Sequence, residues 1–151
     1  TYSRSKRTVK DINFGEEYIS PYDRPHNVSI VLNYEFTKHF DVSATWIYNT
    51  GQPVTYPYGK YTVDGVTYSI YNGERNKSRY PDYHRLDLSA TLKCKDRHKN
   101  WKGEWNFSIY NAYGRKNTWA VLFIPDGENN IQTQQISLFS FIPSVSYNFK
   151  F

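Results

Sequence analysis

Five stretches of this chain alternate apolar and polar residues in steps of two, and that period excludes most folds at once. From Asn27 to Phe36, the residues Val28, Ile30, Leu32, Tyr34 and Phe36 stand against Asn27, Ser29, Val31, Asn33 and Glu35. From Asp41 to Asn49, Val42, Ala44, Trp46 and Tyr48 oppose Asp41, Ser43, Thr45, Ile47 and Asn49. Tyr83 to Lys93 sets Leu86, Leu88, Ala90 and Leu92 against Arg85, Asp87, Ser89, Thr91 and Lys93. Lys102 to Tyr113 sets Trp105, Phe107 and Ile109 against Glu104, Asn106, Ser108 and Tyr110. The last stretch sets Phe139, Phe141, Pro143, Val145, Tyr147, Phe149 and Phe151 against Ser140, Ile142, Ser144, Ser146, Asn148 and Lys150. Successive side chains of a strand point to opposite faces, so each stretch has one greasy face and one wet face. At about ten residues each, these strands exceed the usual five or six. The composition agrees: 15 Tyr, nine Phe and four Trp make 19% of the chain, and aromatic residues favour strands. No stretch carries apolar residues at three-and-four spacing with helix caps. The fold class is all-β.

The connections are lopsided. Roughly 21 residues (Ser5–Pro25) precede the first full strand, and the short turn Thr37–His39 follows it. Then come about 33 residues (Thr50–Asp82), about eight (Cys94–Trp101) and about 25 (Gly114–Leu138). Long and short alternate, which in an up-and-down antiparallel sheet puts every long loop at one end. Outer-membrane barrels are built that way, with short periplasmic turns and long extracellular loops. On that reading Ser5–Pro25, Thr50–Asp82 and Gly114–Leu138 face the cell exterior. Within the second loop, Tyr61 to Tyr68 reads as a hairpin around Asp64-Gly65, a favoured two-residue turn. Trp119–Ile124 reads as another strand, in or above the rim; at six residues it is also the longest apolar run, too short for a transmembrane helix. A closed barrel needs about eight strands. Here there are five, one rim strand and a possible strand end at Thr1–Arg4. An open sheet in lipid leaves backbone groups unpaired in hydrocarbon. As a membrane protein, the chain is therefore expected to be part of a larger barrel; the absence of an initial Met and of a signal peptide accords with that expectation.

Several phrases carry a family likeness. The run from Ser137 to Phe151 resembles the last strand of TonB-dependent outer-membrane receptors. So do Tyr22-Asp23-Arg24-Pro25-His26, Thr50-Gly51-Gln52-Pro53, the run from Tyr80 to Ser89, and Trp105-Asn106-Phe107-Ser108-Ile109-Tyr110-Asn111. The likeness spans nearly the whole chain, in order. A terminal Phe is shared by many outer-membrane barrels; the internal phrases are narrower. The resemblance implies a transmembrane barrel of about 22 strands, of which this is the C-terminal part. It also implies a plug domain and a TonB-contacting segment, both N-terminal and outside this sequence. The implied function is energised uptake of a scarce nutrient of the siderophore, cobalamin or glycan class. The implied partners are outer-membrane lipid and lipopolysaccharide, TonB through the absent N-terminal part, and the barrel-assembly machinery.

Candidate sites follow from the same frame. Tyr147, Phe149 and Phe151 form a terminal aromatic ladder, the feature that assembly machinery seeks in such barrels. Against this stands a lipid-facing strand that happens to finish the chain. Trp46, Tyr48, Tyr83, Trp101, Trp105 and Tyr113 lie near strand ends, where amphipathic rings suit the headgroup layer; loop or core packing is the plainer account. Glu35, Asp41, Arg85, Asp87, Glu104 and Lys150 are expected to point into the lumen and to pair with one another or with the plug; contact with a ligand is the alternative role.

Chemistry is not expected. His84 and Asp87, three apart in one strand, fall on opposite faces and form no dyad. His26, His39 and His98 lie at connections without a second ligand at metal spacing. The single Cys94 excludes an internal disulfide and a thiolate zinc cage. No nucleophile motif, phosphate loop or dinucleotide fingerprint occurs, so no enzyme activity and no cofactor are expected. The net charge of +5 is mild. The clusters Arg4, Lys6, Arg7 and Lys93, Lys95, Arg97, Lys99 read as a loop and a turn rather than a nucleic-acid surface. The alternatives to the receptor are a secreted β-sandwich that binds carbohydrate through exposed aromatics, and a passive outer-membrane pore.

Overall fold

The structure is a computed structural model that describes residues 1–71, 75–94, 102–125 and 131–150. In chain order the strands are β1 (Lys6–Arg7), β2 (Tyr18–Ile19), β3 (Asn27–Thr37), β4 (Phe40–Asn49), β5 (Pro53–Val54), β6 (Gly59–Val63), β7 (Val66–Ile70), β8 (Ser78–Arg79), β9 (Tyr83–Lys93), β10 (Lys102–Tyr110), β11 (Ala120–Pro125), β12 (Ile131–Ile136) and β13 (Ile142–Lys150). A short 3-10 turn at Asn13–Gly15 is the only helical element among the described residues. No helix among them is long and apolar enough to cross a membrane, which leaves crossing by strands untouched.

Two units emerge. One comprises Val28–Tyr48, His84–Lys116 and Phe139–Phe151; the other comprises Thr1–Asn27, Asn49–Tyr83 and Asn117–Leu138. The first is built on a five-stranded sheet in the order β13-β10-β9-β4-β3. Chain neighbours are sheet neighbours throughout, and β10 runs antiparallel to both β9 and β13. All five strands are the long alternating stretches of the sequence, and Tyr83–Lys93 keeps its expected bounds. β10 stops at Tyr110 instead of Tyr113, because Asn111 turns left-handed there (φ 53°). β13 begins at Ile142, three residues later than the alternation begins.

Register makes the period physical. Trp105 sits opposite Leu92 on one side and Tyr147 on the other; Phe107 faces Ala90 and Val145; Ile109 faces Leu88 and Pro143. Directly opposed residues share a face, so the apolar residues of successive strands fall into continuous rows. That face carries Leu32 at 64%, Phe107 at 47% and Val145 at 60% exposure. At Gly103 the ring of Tyr147 lies where a side chain would be: an added Cβ would meet its hydroxyl oxygen at 2.3 Å. Covering a strand glycine with an aromatic ring protects backbone that has no side chain of its own.

The second unit holds two-stranded pieces. β6 and β7 form the hairpin read around Asp64 and Gly65, with φ of 51° and 79° respectively, the mirror-type turn that matches strand twist. β11 is the expected strand at Trp119–Ile124, shifted by one residue, and it pairs with β12. β12 (Ile131–Ile136) was not legible, because Gln132, Thr133, Gln134 and Gln135 give it no apolar alternation. Thr1–Arg4 does not form a strand; it contributes one isolated bridge, Tyr2 to His26. The pairing there is nonetheless regular: Thr1 and Asn27 exchange both backbone hydrogen bonds, and the Ser3 N–H reaches the Pro25 carbonyl.

Gly51 and Gly65 give contrasting tests. A Cβ at Gly51 would lie 1.7 Å from the Tyr80 carbonyl oxygen, whereas Gly65 opens on empty space and only its φ of 79° would strain a substituted side chain. Gly51→Ala is expected to separate β5 from β8 and expose the Arg79 bond to trypsin. Gly65→Ala should cost about 1 kcal/mol and fray only the β6–β7 turn. Limited proteolysis read by mass spectrometry checks both.

Candidate functional site

The polar face of the five-stranded sheet is built of short side chains that satisfy one another. The hydroxyls of Ser43 and Ser89 meet across β4 and β9 at 2.7 Å, and the Asn106 amide donates to the Thr91 hydroxyl at 3.1 Å. An ion pair and a further hydrogen bond extend the pattern. Lys93 lies 3.0 Å from Asp41, and the Asn148 amide donates to Glu104 at 3.1 Å. Lys150 stands opposite Lys102 in register, and Glu35 is exposed on β3. The structure thus couples Asp41, Arg85, Asp87 and Glu104 to neighbours within this unit.

Arg85 and Asp87 anchor a tighter cluster at the opposite end of β9. Arg85 donates through Nε at 2.9 Å and lies with Nη2 at 2.8 Å from the same Asp87 oxygen, while its guanidinium covers the Tyr110 ring at 4.1 Å. The other Asp87 oxygen accepts the backbone N–H of Asn111 at 2.9 Å. Asn111 is buried, and its amide donates to the Arg115 carbonyl at 2.8 Å and to the Ser140 carbonyl. A left-handed Asn whose side chain caps nearby carbonyls is a stable way to turn a chain out of a strand. One carboxylate therefore fixes where β10 ends, and Asn111 ties that end to the approach to β13.

A second cluster lies in the other unit. Asp23 is buried (2% exposed) and accepts the Ser5 N–H at 2.6 Å together with a hydrogen bond from Arg79 Nη2. Arg79 Nη1 donates to the Asp23 and Gly51 carbonyls at 2.7 and 2.9 Å. The Gly51 N–H donates to Asp82 at 2.8 Å, and Arg24 reaches Gln52. Asn76, also buried and left-handed, donates to the Ile19 carbonyl at 2.7 Å while its N–H donates to Thr55. Burial pushes the Asp23 carboxyl up, but the Ser5 N–H, the Arg79 hydrogen bond and the charges of Arg79 and Arg4 outweigh it. The net result holds the group below the usual carboxylate range.

The other expected residues fall as follows. Trp46 and Tyr48 stack at 6.1 Å near the end of β4 from which the long connection leaves. Trp105 contacts Tyr147 at 4.7 Å near the opposite end of the sheet, where Phe36 and Phe40 also stack. Tyr83 opens β9, and Tyr113 lies beyond β10 with its hydroxyl 2.7 Å from His84 Nδ1. Tyr147 and Phe149 stack along β13, the edge strand. Trp101, Phe151, His98 and the basic residues Lys95, Arg97 and Lys99 lie outside the described residues. Among the described residues no group of His, Cys, Asp and Glu could hold a metal ion. The pairs Asp23–Arg79 and Asp87–Asn111 escaped sequence reasoning, since nothing local links positions so far apart.

Comparison of the chain with protein-family models, curated proteins and solved structures gives no match.

The Asp23 cluster carries a pH signature. A folded pKa below the free value of about 3.9 means the carboxylate stabilises the fold above that value, and the contribution is lost as pH falls through the folded pKa. Protection of the Ser5 amide, its exchange rate relative to the intrinsic rate at the same pH, is expected to fall on acidification in the parent and to lose that dependence in Asp23→Asn. Removing the partner charge altogether, in Arg79→Ala, should cost about 3–5 kcal/mol by stranding a buried carboxylate.

Proposed function

We propose that this chain is the C-terminal part of the barrel of a TonB-dependent outer-membrane receptor, working in energised uptake of a scarce nutrient. The observation that carries the reading is the division of the five-stranded sheet into one continuous, exposed apolar face and one polar face of mutually bonded side chains. An apolar surface five strands wide needs an apolar neighbour. Strands of nine to 11 residues suit a bilayer, and aromatic pairs near both ends of the sheet suit its two interfaces.

The edges favour a larger barrel. β3 and β13 each pair on one side only within the described residues, and unpaired backbone in hydrocarbon costs several kcal/mol per group. The Thr1–Asn27 pairing directs any preceding chain along the outer edge of β3. In the full barrel that edge receives the strand ahead of Thr1, and β13 receives the first strand. A lipid-facing Tyr147 and Phe149 then belong to the seam that closes the barrel and is presented to the assembly machinery.

Support for the specific family comes from three phrases that resemble it. Tyr22–His26, Thr50–Pro53 and Tyr80–Ser89 supply Asp23, Gly51 and Asp82, which Arg79 and backbone hydrogen bonds join into one cluster. In the receptor the long connections face the medium and capture ligand; a periplasmic pull through TonB remodels the plug and opens the lumen.

The native full-length product is expected in the outer membrane, resistant to carbonate and released by detergent; recovery as a soluble protein would sink the proposal. Within the barrel, Val145→Arg on the apolar face should reduce assembly by about 2–4 kcal/mol, whereas Ser146→Arg on the polar face should cost far less. Equal effects from the two would argue for a face not bathed in lipid.

A further inference from the structure

We infer that the cleft lined by the Asn13–Gly15 turn, Tyr71 and Arg75 is a binding site for an acidic sugar, a pyranose unit bearing a carboxylate or sulfate. The cleft has a volume of about 740 Å³ and is lined by Lys10, Asp11, Phe14, Thr55, Tyr71 and Arg75, with Asn13. As a capture surface it rests on the uptake reading; as a binding site it does not.

The strongest sign is a strained turn that displays an apolar ring. Asn13, Phe14 and Gly15 are left-handed in succession, with φ of 54°, 57° and 77°. A bulky residue at positive φ is an outlier, and such residues cost about 1–3 kcal/mol each. Here the strain leads to no burial: Phe14 is 93% exposed. The fold spends conformational energy to hold a phenyl ring in water at the lip of a cleft. Strain of this kind persists where a bound partner uses the geometry.

The chemistry of the lining selects the class. Phe14 and Tyr71, the latter 53% exposed, offer aromatic faces. Their negative π surface attracts the weakly positive C–H face of a pyranose ring. Lys10 and Arg75 form no ion pair among the described residues, and the Arg75 guanidinium is held over the Tyr18 ring at 5.6 Å. A guanidinium and an ammonium converging on one space suit a carboxylate or sulfate. Asp11 adds an acceptor that repels a bare anion but takes hydroxyl hydrogens, with Thr55 and Asn13 beside it. Among the described lining residues Lys10 and Arg75 face one carboxylate, Asp11, a balance that favours an acidic sugar over a neutral one. A planar aromatic acid without hydroxyls would leave Asp11 facing its negative charge.

The test is calorimetric titration of the purified full-length protein with four probes: tetragalacturonate, a chondroitin sulfate tetrasaccharide, neutral maltotetraose and citrate. At least one acidic sugar should bind at least tenfold more tightly than maltotetraose and citrate, and which one binds separates carboxylate from sulfate. The Lys10→Ala/Arg75→Ala double variant should lose at least tenfold in that affinity. Phe14→Gly is the decisive variant, because glycine accepts the left-handed turn without strain: it should remain folded with an unchanged or higher melting temperature and yet lose binding. The inference is overturned if neither acidic sugar binds at millimolar concentration, if maltotetraose or citrate binds as well, or if Phe14→Gly binds as the parent does. None of these outcomes bears on whether the protein resides in a membrane.

Discussion

Parity of register is the constraint on which the sheet depends. Because side chains alternate, a slip of one residue between any two strands would move a whole apolar row to the polar face. The pairs Trp105–Tyr147, Phe107–Val145 and Ile109–Pro143 keep β10 and β13 in phase, and Gly103 locks the same phase by accepting the Tyr147 ring. On the other face, Ser43–Ser89 and Asp41–Lys93 hold β4 to β9. The two faces thus fix register by unlike means: shape and ring contact on one, hydrogen bonds and charge on the other. Neither could do so if the alternation were broken in any single strand.

Where strands end, buried polar groups take over from the ladder. Asp87 accepts the Asn111 N–H that β10 would otherwise have offered to a neighbouring strand, and the left-handed Asn111 sends the chain away. Asp23 performs the same service in the other unit, gathering Ser5 and Arg79 while Arg79 also reaches Gly51. A carboxylate is suited to this work because it accepts several donors at once. Each is matched to an Arg, so neither the buried Asp23 nor the half-buried Asp87 stands as an isolated charge. Gly51 is required beside the second cluster for a separate reason: the Tyr80 carbonyl occupies the space a side chain would need.

The sequence made the sheet legible and the clusters illegible, for one reason. Alternation is a local property, so the five long strands, the Asp64-Gly65 hairpin and the strand at Trp119–Ile124 could all be read from neighbours in sequence. Pairings such as Asp23–Arg79 or Asp87–Asn111 join residues 56 and 24 positions apart, and no local pattern marks them. β12 escaped because its polar run, Gln132 to Gln135, resembles a loop; pairing with β11 supplies the order its own residues do not. The alternation carries the expected strand on to Tyr113, whereas the left-handed Asn111 turns the chain after Tyr110. The cleft was invisible in sequence for a further reason: an exposed Phe14 next to a glycine reads as an ordinary loop until its φ is known.

The distribution of aromatic residues ties the two units to one functional argument. On the sheet, rings stack along strands in rows and present broad apolar surface, the use that a hydrocarbon neighbour rewards. In the other unit several rings are set among charges, with Arg7 over Tyr22, Arg75 over Tyr18, and Phe14 and Lys10 lining one cleft, although Tyr61 and Tyr68 stack on each other there and Arg85 covers Tyr110 on the sheet's polar face. A ring next to a cation is poorly suited to lipid but well suited to a polar ligand with an apolar face. The same 19% aromatic content is therefore arranged in two ways. A membrane receptor needs one surface for the bilayer and another for cargo drawn from water, whereas a soluble carbohydrate-binding sandwich needs only the second. The exposed rows on Leu32, Phe107 and Val145 are what the sandwich reading leaves without a use, unless a second sheet covers them.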